Sequence, residues 1–325
     1  MSYTNIVLKY LQSNHDYISG EELSRHLNIS RTTVWKNINM LREWGYEIQS
    51  VTNKGYKLIS CPDTINPNEV AADLGTKLIG KKIYTYTSID STNAQAKREA
   101  LQGAASGSVF LAEEQLSGKG RLGRTWSSPP STGLWFSILL RSSLLPLQIT
   151  NITLLTGLAV CRAIRSYTGL PAFIKWPNDI VINSKKVCGI LTEIAAEVDR
   201  IEYIVVGIGI NVNNASFPQE LAVKATSLRI QQNTPISRVG LLQEILRTFD
   251  KVIIESKTNN DALLNDYRSL CISLNRKVEF TRNHQTLYGT AVDISPLGEL
   301  VVSCEDGTAI PINSGEVTVQ GIYGQ

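Results

Sequence analysis

The run Gly118-Lys119-Gly120-Arg121-Leu122-Gly123-Arg124 contains the pattern G-x-G-x-x-G, and the residues just after it restrict the fold. A dinucleotide-binding turn must open a helix so that the helix N-terminus meets the pyrophosphate. This loop runs instead into Trp126-Ser127-Ser128-Pro129-Pro130, where paired prolines prevent a smooth helix start. The sequence therefore argues against a doubly wound dinucleotide fold. What remains is a loop whose glycines let backbone amides approach an anion, with Lys119, Arg121 and Arg124 placing three cations beside it. An exposed basic turn is the alternative reading of the same residues.

The surrounding chain of 325 residues changes pattern twice. Ile6, Val7, Tyr10 and Leu11 have helical spacing, Ser19 and Glu22 form a capping box, and Ser30 caps a further helix that carries Val34, Ile38 and Leu41. Gly45 ends that helix, and the Asn53-Lys54-Gly55 turn before Tyr56-Lys57-Leu58 suits a hairpin. Three helices and a hairpin predict a winged helix-turn-helix. Arg31, Thr32, Thr33, Lys36 and Asn37 on the third helix and Lys54 on the wing are the residues expected to meet DNA. A helical interaction module with a solvated polar face is the alternative.

Cys61 to Pro67 reads as a linker. Beyond it, strand patterns at Ser108 to Ala112, Leu134 to Leu140, Phe173 to Trp176 and Tyr203 to Val206 alternate with helical ones, which suits a mixed α/β or α+β domain. The stretch from about Ser237 to Ser269 reads as polar and helical. From Ile272, short β-rich pieces at Lys277 to Thr281, Leu287 to Asp293, Leu300 to Ser303 and Ala309 to Ile312 are separated by turns. About five strands in so short a segment favour a small barrel.

Five cysteines at 61, 161, 188, 271 and 304 are widely spaced, as are His15, His26 and His284, so neither a disulfide framework nor a local zinc site is written here. The start of the chain lacks signal-peptide features, and Ser142 to Cys161 reads as a loop and buried helix; the expectation is a soluble, cytoplasmic protein with no membrane contact. The net charge of +3 conceals an uneven distribution: Gln115 to Thr192 holds nine Lys or Arg against Asp179 alone. Phosphate chemistry belongs in that stretch.

Gly118 to Trp126, Lys175-Trp176-Pro177-Asn178-Asp179 and Lys186-Val187-Cys188-Gly189-Ile190-Leu191, in this order, resemble the biotin protein ligases. The flanking modules extend the resemblance over the full chain, to the bifunctional form that is both ligase and biotin operon repressor. The resemblance implies an α+β multidomain chain. Its parts are a winged helix-turn-helix (1–62), a central α/β ligase domain with a mixed sheet (67–270) and a small SH3-like β-barrel (271–325). It implies that biotin and ATP, with Mg²⁺, give biotinyl-5′-AMP and pyrophosphate. Biotin then passes to a lysine of the biotin carboxyl carrier protein of acetyl-CoA carboxylase or pyruvate carboxylase, and an adenylate-bound homodimer represses biotin genes.

The resemblance also implies a role for each site residue. Ser91, Thr92, Asn93 and Gln115 contact biotin, although Ser-Thr-Asn is also a common helix cap. Lys119, Gly120 and Arg121 close over biotin and the activated carboxyl-phosphate, with Lys119 and Leu122 standing where relatives carry arginine. Arg124, Trp126, Lys175, Asn178, Asp179 and Asn211 face the nucleotide, and Asp179 acts by orientation, through Mg²⁺, or only as a turn former. Lys186, Arg121 and Lys119 are the catalytic cations, with Lys186 aimed at the carboxylate and α-phosphate. Gly189, Gly207 and Gly209 are either ligand walls or close-packing sites. A biotin-sensing regulator without catalysis and a lipoate ligase are the competing functions.

Overall fold

The computed structural model describes residues 3–14, 16–60, 65–72, 74–141, 149–196, 201–282, 285–313 and 317–323. His15, Cys61, His284, the Asn283-His284 turn, most of the 61–67 linker and the loop at 142–148 lie outside them. The chain divides into two units, one up to Leu74 and one from Gly75 onward.

The first unit is built from α1 (Tyr3–Ser13), α2 (Gly20–Leu27), α3 (Arg31–Glu43), β1 (Glu47–Val51), β2 (Gly55–Ser60) and α4 (Pro67–Ala71). Ser19 Oγ accepts from Glu22 N at 3.0 Å and Ser30 Oγ from Thr33 N at 3.1 Å, so both expected caps form. Val34, Ile38 and Leu41 of α3 are buried with Val7 and Leu11 of α1 and Leu23 of α2. The hairpin needs Gly55: at φ 104° a Cβ there would stand 2.0 Å from Ile18 O, whose partner across the gap is Tyr56 N at 2.8 Å.

The second unit holds a seven-stranded sheet in the order β3-β4-β5-β9-β8-β7-β6. In chain order the elements are β3 (Ile83–Ile89), α5 (Thr92–Leu101), β4 (Val109–Gln115), β5 (Gly133–Leu140), α6 (Ile149–Thr168), β6 (Phe173–Lys175), β7 (Asp179–Ile182), β8 (Lys185–Ala196) and β9 (Ile201–Asn211). Only β3 and β4 run parallel, so the sheet is mixed, as expected. β5 is buried along its whole length, which explains why Leu134 to Leu140 is apolar except at Ser137. Ala96 and Ala100 of α5 pack on Phe110, Leu139, Tyr203 and Val205, their small side chains letting the helix lie close to the strands.

Four helices come next: α7 (Gln219–Ala222), α8 (Leu228–Gln232), α9 (Arg238–Glu255) and α10 (Asn260–Leu270). Asp250 of α9, 4% exposed, accepts from Lys77 N, Leu78 N and Ile79 N at 2.7–2.9 Å, tying the first residues of this unit to the helix. The last strands, β10 (Lys277–Arg282), β11 (Gln285–Ile294), β12 (Leu300–Cys304), β13 (Ala309–Ile312) and β14 (Val317–Val319), form an antiparallel sheet in the order β13-β12-β11-β10-β14. The strand pieces expected from sequence are present. The closed barrel is not: among the described residues β13 pairs only with β12 and β14 only with β10. The described cysteines are unpaired, with Cys161, Cys188 and Cys271 buried. Among the described residues no helix is long and apolar enough to cross a membrane.

Candidate functional site

Every residue that the sequence assigns to biotin or nucleotide lines one cavity of about 730 Å³ in the second unit. The strands β4, β7, β8 and β9 supply its floor, α5 one end, and the 118–126 loop one wall. Asp179 is the sole carboxylate among the lining residues, whereas Lys119, Arg121, Arg124, Lys175, Lys186 and Lys224 are cationic. Such a cavity favours a polyanionic ligand.

The loop is held by its own backbone. Trp126 N donates to Gly118 O at 2.9 Å and Gly120 N to Arg124 O at 2.7 Å. Leu122, at φ 56°, takes the left-handed turn with its side chain exposed. Arg121 Nη1 donates to Asn178 Oδ1 at 2.8 Å, and Asn178 Nδ2 in turn to Ile190 O at 3.0 Å, so the Lys-Trp-Pro-Asn-Asp turn docks the loop on β8.

Lys186 lies at the centre. Its Nζ is 2.5 Å from Asp179 Oδ1 as an ion pair, outside hydrogen-bond alignment, and 5.3 Å above the Trp126 ring. The neighbouring Lys185 turns away and donates to Ala222 O at 2.7 Å, as strand alternation requires. Trp126 itself fills the space left by two glycines. A Cβ on Gly189 would come within 3.0 Å of its ring, and one on Gly209 within 2.5 Å of Nε1.

At the α5 end, Ser91 occupies the N-cap position without a side-chain cap bond, so its hydroxyl is not spent on the helix. Thr92 N and Oγ1 both donate to Gln115 Oε1, at 2.9 and 3.1 Å, and Gln115 Nε2 donates to Ser128 Oγ at 2.8 Å. Asn93 is engaged by the protein: its amide donates to Glu193 Oε2 at 2.7 Å and lies 2.6 Å from Ser137 Oγ, which donates to Oδ1. Lys97 joins Glu193 at 2.6 Å, and together with the Asn93 bond it outweighs the desolvation that would raise the Glu193 pKa, leaving it below the ordinary value. A Cβ at Gly207 would strike Asn93 Oδ1 at 2.2 Å. Thus the room at Gly207 and Gly209 is taken by Asn93 and Trp126 while both glycines still line the cavity. Asn211 donates to Thr226 O at 3.1 Å.

Sequence reasoning missed Glu193 and Ser137, which orient Asn93, the wall formed by Phe217, Pro218 and Leu221, and Tyr323, which reaches the cavity after β14. None lies in a local pattern that singles it out. The described residues contain no group of three His, Cys, Asp or Glu able to hold a metal. The one carboxylate at hand already faces Lys186 and the Tyr323 hydroxyl, so these residues do not fit a protein-held Mg²⁺.

In the first unit, Arg31, Thr32 and Lys36 are exposed on α3, and Lys54 is exposed on the hairpin. Thr33 and Asn37 are half-buried. Thr4 Oγ1 donates to Asn37 Oδ1 at 2.6 Å and Asn37 Nδ2 donates to Thr33 O at 2.7 Å, so that amide joins α3 to α1. Trp35, 54% exposed, is a large group on the same helix that the sequence pattern did not single out.

A helix-turn-helix unit on one chain with a cationic, glycine-floored cavity defines a regulator joined to an enzyme of anionic substrates. Comparison with known proteins agrees. Residues 85–211 match the biotin/lipoate A/B protein ligase family, 5–57 an HTH domain and 273–319 the biotin protein ligase C terminal domain. The chain is 38% identical over 309 residues to the bifunctional ligase/repressor BirA of Bacillus spizizenii, covering 93% of this chain and 94% of that one. It is 27% identical to the Escherichia coli protein of the same name, with 95% of each covered. A biotin protein ligase from Aquifex aeolicus, solved with biotin and ATP, superposes with a TM-score of 0.66 at 29% identity, covering 74% of this chain and 99% of that one. The chain belongs to the biotin/lipoate A/B protein ligase family.

Proposed function

We propose that the protein activates biotin with ATP, transfers it to a lysine of a biotin carboxyl carrier protein, and represses biotin genes through its helix-turn-helix unit. The observation that carries this reading is the convergence of the loop, the Lys-Trp-Pro-Asn-Asp turn and Lys186 on one cavity. A carboxylate is a poor electrophile, so activation comes first. A biotin carboxylate oxygen attacks the α-phosphorus of ATP, and the bond from that phosphorus to the oxygen bridging to the β-phosphate breaks. Pyrophosphate leaves, and a mixed anhydride remains. The carrier lysine amine then attacks the acyl carbon, with AMP as leaving group.

Lys186 and Arg121 carry the positive charge that two approaching anions and the crowded phosphorus require, and Lys119 and Arg124 close the loop side. Ser91, Thr92 and Gln115 supply the polar end of the biotin pocket. Trp126 is the platform beside Lys186, and Lys175 and Asn178 face the phosphates. Mg²⁺, where it is needed, would be held by the ATP phosphates rather than by this chain and would supply neutralisation of their charge. The antiparallel sheet from Lys277 on serves as the family's SH3-like module in the division 1–62, 67–270 and 271–325.

Repression uses an adenylate-bound homodimer on a two-part operator in the cytoplasm. Seven basic against five acidic residues in Met1 to Ser60 give each copy only a modest pull on DNA, which favours two copies acting together. The deciding experiment is incubation with ATP, labelled biotin and carrier domain, with lipoate as competitor. Labelled carrier and released pyrophosphate are expected. Preference for lipoate would replace the substrate, and adenylate retained without transfer to the carrier would leave a sensor.

A further inference from the structure

Tyr323 belongs to no motif of the cavity, yet it touches both sides of the cation arrangement there. Its hydroxyl donates to Asp179 Oδ2 at 2.7 Å, while Asp179 Oδ1 pairs with Lys186 Nζ at 2.5 Å. Lys175 Nζ stands 5.2 Å from the Tyr323 ring centroid and donates to Val317 O at 3.1 Å. The backbone fixes where the ring points. After β14, Gly321 turns at φ 79°, Ile322 is fully buried, and Tyr323 N donates to Ser184 O at 3.0 Å. Tyr323 itself lies at φ 65°, a left-handed conformation that a bulky residue adopts only where its surroundings hold it there.

We infer that Tyr323 is a positioning residue for adenylation: its hydroxyl fixes the Asp179 carboxylate, which in turn sets where the Lys186 ammonium stands. This rests on the ligase reading above. A carboxylate offers two oxygens and can turn about its terminal bond. With Oδ2 tied to the phenol, only Oδ1 faces Lys186, so the ammonium is held by charge at one point over Trp126 and its N–H groups stay available to phosphate oxygens. Without the phenol, Asp179, 8% exposed, loses a donor in a poorly solvated place and draws Lys186 onto both oxygens. Burial and the Asp179 charge push the Tyr323 phenol pKa up, so it stays a donor throughout the working range. The ring makes a separate contribution by holding Lys175.

Tyr323→Phe keeps the ring and the packing and removes only the donor. With the full chain, saturating biotin and MgATP, pyrophosphate release should fall about ten- to a hundredfold, the loss of one hydrogen bond to a charged group, with the KM for biotin within about twofold. In an Asp179→Asn background the same change should have almost no further effect, since the group it positions is already altered. Tyr323→Leu should in addition raise the KM for ATP through Lys175. Wild-type turnover in Tyr323→Phe, or full additivity with Asp179→Asn, would overturn the inference and leave the ligase reading standing. A wild-type protein that releases no pyrophosphate with biotin would overturn both.

Discussion

Gly209 and Trp126 share one volume: the indole Nε1 lies where the Cβ of any other residue at 209 would stand, 2.5 Å away. A glycine near the end of β9 thus sets the position of a tryptophan that the loop contributes from 83 residues earlier. The consequence reaches Lys186, whose ammonium rests 5.3 Å above that ring. Gly209→Ala should therefore expel the indole, seen as altered near-ultraviolet circular dichroism, and lower adenylate formation at least about tenfold. A native spectrum with native turnover would contradict this.

Lys186→Ala removes the ammonium between Asp179 and the expected α-phosphate while leaving β8 intact. Loss of one preorganised charge at a developing anion costs about a hundredfold or more in rate. Pyrophosphate release should fall by at least that factor with the urea midpoint little changed. Normal release would remove Lys186 from the chemistry.

What the sequence showed and what it hid divide by distance along the chain. The Gly118–Trp126 loop, the 175–179 turn and Lys186 each lie in a short run whose composition points to anion chemistry, and all three reach the cavity. Strands β5 and β13 were legible from an apolar run and from flanking turns. Glu193 meets Asn93 across 100 residues and Tyr323 meets Asp179 across 144, and no local pattern encodes such a meeting. Closure of the last sheet lies beyond local pattern for a related reason: strand count comes from local alternation, whereas which strands pair across the sheet is not specified by any one of their sequences. Asn37 shows the limit on a helix face, since its spacing looked outward until Thr4 of α1 claimed its amide.

That contact separates two roles on α3. Lys36→Ala and Arg31→Ala should each reduce the slope of log affinity against log salt on operator DNA by about two, because each would remove one phosphate contact from both copies of a bound dimer. Asn37→Ala should leave the slope unchanged and cost about 1 kcal/mol of stability in the first unit, from the lost bonds to Thr4 and Thr33. A slope changed by Asn37→Ala would return that residue to the DNA surface.

The turn into α5 carries its own pH signature. Hydrogen bonds from Arg98 at 2.8 and 2.9 Å hold the Asp90 carboxyl down to about 2 from its ordinary 3.8, next to Ser91 at the pocket's edge. A depressed carboxylate stabilises the fold above its unfolded pKa and stops doing so as pH falls through the folded one. Both side chains are about half exposed, so the effect is small. Asp90→Asn should lower the Tm slightly at pH 6, and the gap should close between about pH 4 and 2. A gap that widened on acidification would refute the pairing.

Asp250 offers the sharpest stability test. Its carboxylate accepts three successive backbone N–H groups, from Lys77, Leu78 and Ile79, at a site that is 4% exposed. Asp250→Ala leaves those donors without their acceptor in a place water barely reaches, which should cost about 3 kcal/mol or more. Asp250→Asn keeps an oxygen on the same spot and should cost clearly less. Because the segment it ties lies away from the residues lining the cavity, the folded fraction of either variant should turn over biotin and ATP at the wild-type rate. Equal unfolding midpoints for the wild type and Asp250→Ala would show that the segment finds other partners.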